Sequence, residues 1–391
     1  MASHSFRVIQ VCPQPGARAG ELATPHGMVP TPVFLPVGSQ ATVKTLTPEE
    51  LKDIGISMVL ANTYHLYLRP GIAVIEKAGG LHKFMAWDRA ILTDSGGYQI
   101  FSLATLRRVS DEGVIFRSHI DGSEHFLTPE SIIEFQESLG ADIIMALDEC
   151  PAYGEGFEKV QEAMERTNRW AERCQKSHRR SDQALYAIVQ GGVFPHLRHQ
   201  AAEYLASLGF AGYAIGGLSI GEPKKETWAM VEETVALLPE NRPRYLMGVG
   251  SPEDLLEGVA RGVDMFDSAL PTRVARNGAL FTWQGRFNIQ NSAHREKEEP
   301  VVPGCECYTC RTFSAAYLHH LFSREELLGY RLATIHNLSF ISNLMRKIRD
   351  AILNGTFNSF KESFLANYKT TDEEIRLSQK QRWLKLRRPR E

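Results

Sequence analysis

Eight short apolar runs recur along this chain of 391 residues, each ending in a polar or glycine-rich turn and usually followed by amphipathic helical sequence. They cover residues 33–37, 58–62, 90–94, 142–148, 185–190, 213–217, 245–248 and 263–267. Near-continuous apolar strands are buried on both faces, which demands a parallel sheet covered by helices. Eight such units predict an α/β fold of the closed (β/α)8 TIM-barrel type rather than an open doubly wound sheet. No Gly-x-Gly-x-x-Gly follows the first run, which disfavours a dinucleotide site. The expectation is a single catalytic barrel spanning 1–391.

A barrel brings the C-terminal ends of all its strands to one face, where catalysis sits. The residues at those ends are Asn62, Asp94, Asp148, Gln190, Gly217, Gly248 and Asp267. The eighth run carries the sharpest signal. It leads through Asp267-Ser268-Ala269-Leu270-Pro271-Thr272 to Arg273. The residue before a proline is pushed away from helical geometry, so no helix is expected there for Asp267 to cap. A carboxylate at a strand end with no helix to cap is placed for chemistry.

Outside the repeat, turn signals from Phe6 to Pro36 predict an N-terminal hairpin or meander at about 6–32. The gap between Asp94 and Asp142 is too long for one helix. It holds Asp121-Gly122 flanked by alternating residues, a hairpin signal after strand three. Three of the six cysteines, Cys305, Cys307 and Cys310, crowd into one turn. That spacing suits a single tetrahedral Zn²⁺ with a histidine as fourth ligand, and His319, His320 and His336 are all candidates. A closed set of this kind is structural, and the zinc-binding subdomain is expected at about 285–345. With a net charge of −2, any grip on nucleic acid must rest on local basic patches. The basic end, from Lys380 to Arg390, reads first as a solvated terminus and second as an RNA contact. No apolar run is long enough to span a bilayer and none resembles a signal peptide, so the cytoplasm is expected.

The turns after the strands carry groups that can read a purine edge. Asp94-Ser95-Gly96-Gly97-Tyr98-Gln99, Asp148-Glu149-Cys150, Gln190-Gly191-Gly192 and Gly216-Gly217-Leu218 supply carboxylates, an amide and exposed backbone. With Asn62-Thr63-Tyr64-His65-Leu66, Met247-Gly248-Val249-Gly250, Leu270-Pro271-Thr272-Arg273 and Thr334-Ile335-His336-Asn337, these motifs resemble the bacterial tRNA-guanine transglycosylases over nearly the whole chain. The resemblance implies a pentosyltransferase that exchanges the wobble guanine of tRNA anticodon loops for preQ1, a 7-deazaguanine precursor of queuosine. It implies Asp267 as nucleophile on ribose C1′ and Asp94 as general acid/base. It implies base contacts from Asp94, Asp148, Gln190, Gly217 and Leu218, a sandwich of Tyr98 and Met247, and Glu222 as an orienting group. Arg273 and Arg276 correspond to tRNA-contacting arginines, and His336 becomes the fourth ligand of one structural Zn²⁺ per subunit of a homodimer. Ser268 departs from the cysteine found there in some members. A catalytically silent partner subunit would not need both Asp94 and Asp267, and an unrelated two-carboxylate glycosidase would not need the cysteine cluster.

Overall fold

In the computed structural model, which describes residues 4–12, 16–103, 107–370 and 378, eight parallel strands close into a barrel. In chain order they are Val33–Gly38, Met58–Asn62, Ala90–Asp94, Ile143–Met145, Ala184–Val189, Gly212–Ile215, Arg244–Leu246 and Met265–Ser268. Each pairs with its neighbour in sequence, and the eighth closes on the first through Met265 opposite Val33. Alternation sorts the side chains. Val33, Leu35, Met58, Leu60, Leu92, Met145 and Met265 fill the barrel interior, while Phe34, Val59, Ile91 and Phe266 face the helices. The basic C-terminal end lies outside the described residues.

The N-terminal element is a three-stranded antiparallel sheet, Ser5–Val11, Arg18–Thr24 and Gly27–Thr31, so the meander is what forms. It closes the barrel floor, adding Leu22 and Val29 to the interior cluster. Arg18 fastens it: its guanidinium donates to both oxygens of buried Asp264, at 2.8 and 2.5 Å, just before the eighth strand. His26 adds a second clamp. It meets Asp142 Oδ1 at 2.8 Å while His82 approaches Oδ2 at 3.2 Å, and the two rings stack 3.5 Å apart. Lone pairs of parallel stacked rings do not converge on one point, so this is a hydrogen-bonded clasp on the floor rather than a metal cradle.

The insertion after the third strand is also three-stranded, Arg107–Val109, Val114–Arg117 and Glu124–Leu127. The expected hairpin supplies its last two strands, with Gly122 at φ +76° in the turn.

The reading of the eighth strand needs one correction. A helix, Leu270–Arg276, begins directly after it. Pro271 falls in the first turn, where a missing N–H leaves no hydrogen bond unmade. Asp267 still does not cap that helix. Ser268 Oγ accepts from Leu270 N–H instead, at 3.1 Å. Beyond it, the long helix Leu327–Leu353 packs along this short helix and joins the cysteine segment to the barrel.

Candidate active site

Asp267 stands at the mouth, at the end of the eighth strand. Its Oδ1 accepts from the Tyr245 hydroxyl at 2.6 Å and from the Gly248 N–H at 2.8 Å. Gly248 reaches that position with φ +75°, which a residue with Cβ rarely adopts. Among the described residues no donor reaches Oδ2, so one oxygen is anchored and the other is presented. Desolvation raises the Asp267 carboxyl above the usual range, and its two hydrogen bonds oppose the rise. Burial and the adjacent carboxylate push the Tyr245 phenol upward, so it remains a donor.

Asp94, buried at the end of the third strand, is held differently. Asn62 Nδ2 donates to its Oδ2 at 2.5 Å and Thr63 N–H to its Oδ1 at 3.2 Å. Its carboxyl is pushed up to about 8, first by burial and then by the charge of Asp267, with the Thr63 and Asn62 bonds opposing. The field of Asp148 also reaches it. Three carboxylates far apart in sequence therefore stand close enough at the strand ends for the charges of Asp267 and Asp148 to act on Asp94. At about 8, the Asp94 carboxyl favours its protonated form at neutral pH.

Asp148 is paired with Gln190 at the ends of the fourth and fifth strands. Its oxygens accept from Ser95 Oγ at 3.1 Å and from Gln190 Nε2 at 2.7 Å, and burial lifts its carboxyl to about 6. Two glycines make room for this pair. A Cβ on Gly97 would collide with Asp148 Oδ1, and one on Gly217 with Gln190 Oε1. Leu218 is buried behind Gly217. The next turn is held by Glu222, itself buried. Its carboxylate accepts from the N–H groups of Ser219, Ile220 and Gly221 and from Thr227 Oγ1. Tyr98, on the helix Gly97–Leu103, is exposed, and Met247 is half-buried just past the seventh strand.

Arg273 and Arg276 sit on the helix that starts three residues after Asp267. Arg273 is exposed; Arg276 is half-buried and donates to Thr272 O at 2.9 Å. Burial and the charge of Arg273 both lower the Arg276 guanidinium.

The cysteine cluster lies apart from these groups. Sγ of Cys305, Cys307 and Cys310 stands 3.9, 3.5 and 3.4 Å from His336 Nδ1. Ligand atoms on one tetrahedral ion with thiolate and imidazole bonds are separated by about 3.5–3.8 Å, so the set fits a metal. His336 Nε2 is 2.8 Å from Phe281 O, a donor position that leaves Nδ1 to face the sulfurs. His319 is bonded to Ile289 O instead, which settles the choice among the three histidines against it.

Sequence reasoning did not single out Tyr245, Ser95 or Arg198. A tyrosine inside an otherwise apolar strand was the available signal, because a buried hydroxyl needs a partner.

A closed barrel whose mouth gathers the carboxylates of Asp267, Asp94 and Asp148 beside the Gln190 amide and glycine-rich turns fits a pentosyltransferase acting at a nucleoside. The family model for queuine tRNA-ribosyltransferase matches residues 12–370, and the chain belongs to that family. A queuine tRNA-ribosyltransferase of Dehalococcoides mccartyi is 61% identical over 383 residues, covering 98% of each chain. Those of a Thermoanaerobacter species and of Moorella thermoacetica are 56% and 55% identical, covering 95% and 94% of this chain and 100% and 99% of theirs.

Proposed function

We infer that this chain, a tRNA-guanine transglycosylase exchanging wobble guanine for a 7-deazaguanine base, works by double displacement through Asp267. The observation that carries the reading is the contrast between the two carboxylates. Asp267 has one oxygen tied by Tyr245 and Gly248, whereas Asp94 favours its protonated form at neutral pH. Asp267 attacks ribose C1′ and the bond to guanine breaks, with Asp94 giving a proton to the departing base. The incoming base then loses its ring proton to Asp94 and attacks C1′, and the bond to Asp267 breaks. Two inversions retain the β-anomer.

Asp148 accepts from the N–H groups of the base, while Gln190 and the Gly217 backbone donate to its carbonyl. Tyr98 and Met247 stack on its two faces, and Glu222 holds the Leu218 turn against it. Reading those edges requires a splayed, single-stranded anticodon loop. Arg273 and Arg276, one turn apart on the helix that follows the nucleophile, contact its phosphates. The base taken is preQ1, a reading supported by the Asp148-Glu149-Cys150 context. Cys305, Cys307, Cys310 and His336 hold one Zn²⁺, which with four protein ligands and no open position stabilises the fold. Exposed Tyr308 and Tyr317, in ring contact with Phe313 beside that cluster, support a homodimer. No helix among the described residues is long and apolar enough to cross a membrane.

Exchange of radiolabelled guanine into tRNA, competed by preQ1 and by queuine, tests the reading. Preferential competition by preQ1 supports it; no guanine exchange, or preference for queuine, counts against it.

A further inference from the structure

Behind the Asp148–Gln190 pair lies a cation that the exchange chemistry described above does not use. Arg198, on the helix Pro195–Ser207, is 0% exposed and forms no ion pair within 4 Å among the described residues. Its Nε donates to Gly192 O and its Nη1 to Val189 O, each at 2.9 Å. These carbonyls flank Gln190-Gly191. Val189 O also accepts from Gly216 N–H at 3.0 Å, so the carbonyl that Arg198 holds is the one through which the backbone joins the fifth strand to the end of the sixth. The third nitrogen, Nη2, is buried without a partner among the described residues and lies 3.6 Å from where a Cβ on Gly217 would stand. Gln190 Oε1, beside the same glycine, is likewise buried and unpartnered. Burial lowers the guanidinium to about 10, with Cys150 and Glu222 opposing, so it stays charged at neutral pH.

Burying an arginine without a carboxylate partner is costly, and the two carbonyls of the Gln190 turn are what it gains in return. Arg198 holds the Gln190-Gly191 turn through the carbonyls on either side of it. Within that turn Gln190 Nε2 spends one N–H on Asp148, which leaves its second N–H to donate to a base.

We propose that Arg198 is a positioning residue for base selection. Its guanidinium braces the Val189-to-Gly192 turn that carries Gln190, holding that amide with an N–H toward the base, so that a 6-oxopurine or 6-oxo-7-deazapurine is favoured over a 6-aminopurine. The proposal rests on the transglycosylase reading, and the wild-type assay separates the two. Wild-type protein that fails to exchange guanine removes that reading, and the proposal with it.

The test compares the wild-type chain with Arg198→Met and Arg198→Lys, measuring KM for guanine, KM for tRNA, kcat and inhibition by adenine. Circular dichroism and melting temperature establish folding. Methionine keeps bulk and loses both bonds. The expected result is a rise of roughly tenfold in the KM for guanine and a similar narrowing of the guanine-over-adenine preference. KM for tRNA should stay within about twofold, which a general loss of structure would not allow. Lysine keeps the charge but cannot fork to two carbonyls, so a smaller shift in the same direction is expected. Folded Arg198→Met with an unchanged KM for guanine overturns the proposal, as does a parallel rise in the KM for tRNA. Should the methionine variant fail to fold, folded Arg198→Lys with wild-type base kinetics overturns it equally.

Discussion

Replacing Asp94 with asparagine should stabilise the protein while disabling it, and the size of the effect should depend on pH. The Asp94 carboxyl moves from 3.8 in the unfolded chain to about 8 in the folded one, chiefly through burial. A group whose folded value is raised contributes its stability fully below the unfolded value and loses it as pH rises toward the folded value. Between those limits the unfolded chain ionises while the native one does not, at about 1.4 kcal/mol per pH unit. At pH 7 the accumulated cost is roughly 4 kcal/mol. Asparagine has no charge to lose and escapes that cost. It brings a penalty of its own, because Asn62 Nδ2 and, at 3.4 Å, Gln99 Nε2 donate to one carboxyl oxygen and Thr63 N–H to the other, and an amide keeps only one of the two oxygens as an acceptor. One mismatched donor costs about 1–3 kcal/mol and does not vary with pH. The net gain near neutrality is therefore about 1–3 kcal/mol, shrinking or reversing as the solution is acidified. Urea unfolding of both proteins from about pH 5.5 to about pH 7.5 should show the stability difference growing by between 2 and 3 kcal/mol, approximately the slope of one proton. Guanine exchange by the variant should fall by about 10²–10⁴-fold, the usual value of a general acid/base. A stability difference that is flat with pH would refute the raised carboxyl, and with it the argument that Asp94 carries the proton.

Three further outcomes are expected. Asp267→Ala removes the atom that bonds to the sugar, so no tRNA adduct should survive denaturing electrophoresis, whereas wild type with a poor incoming base should accumulate one; an adduct on the variant would place the nucleophile elsewhere. Asp148→Asn leaves two amides facing each other at Gln190 and should weaken base binding by about 1–3 kcal/mol, read as a raised KM for guanine and preQ1; unchanged values for both would remove Asp148 from recognition. Cys307→Ala should lower metal content and soluble yield together, because metal-binding energy is also folding energy; a folded, active, metal-free variant would contradict a structural zinc.

The eight-strand barrel was legible because strands buried on both faces must be apolar throughout, and chains can hardly disguise that pattern. The ends of those strands were legible for the same reason: polarity returns where burial stops, and Asp94, Asp148, Gln190 and Asp267 stand at that edge. The cysteine spacing marked a metal site, since three thiolates so close together have few other uses. The choice of His336 over His319 and His320 was not in the spacing. It depended on which face of the helix Leu327–Leu353 packs toward the cysteine turn. The helix after Asp267 was misread because a proline excludes helix interior but suits the first turn, and only the start of the helix decides which applies. Tyr245 and Arg198 stayed hidden because each looks like an ordinary member of its own element. Their roles arise from partners distant in sequence or fold: Tyr245 with Asp267 on the neighbouring strand, and Arg198 with two carbonyls at the end of the strand before its helix. The different proton affinities of the carboxylates were likewise invisible along the chain, because burial and mutual charge are properties of where the groups come to rest. Sequence determined which chemical groups line the mouth of the barrel. Tertiary packing decided which carboxyl is pushed toward keeping its proton, which has one oxygen tied and the other left open, and which strand-end turn is braced by a buried arginine.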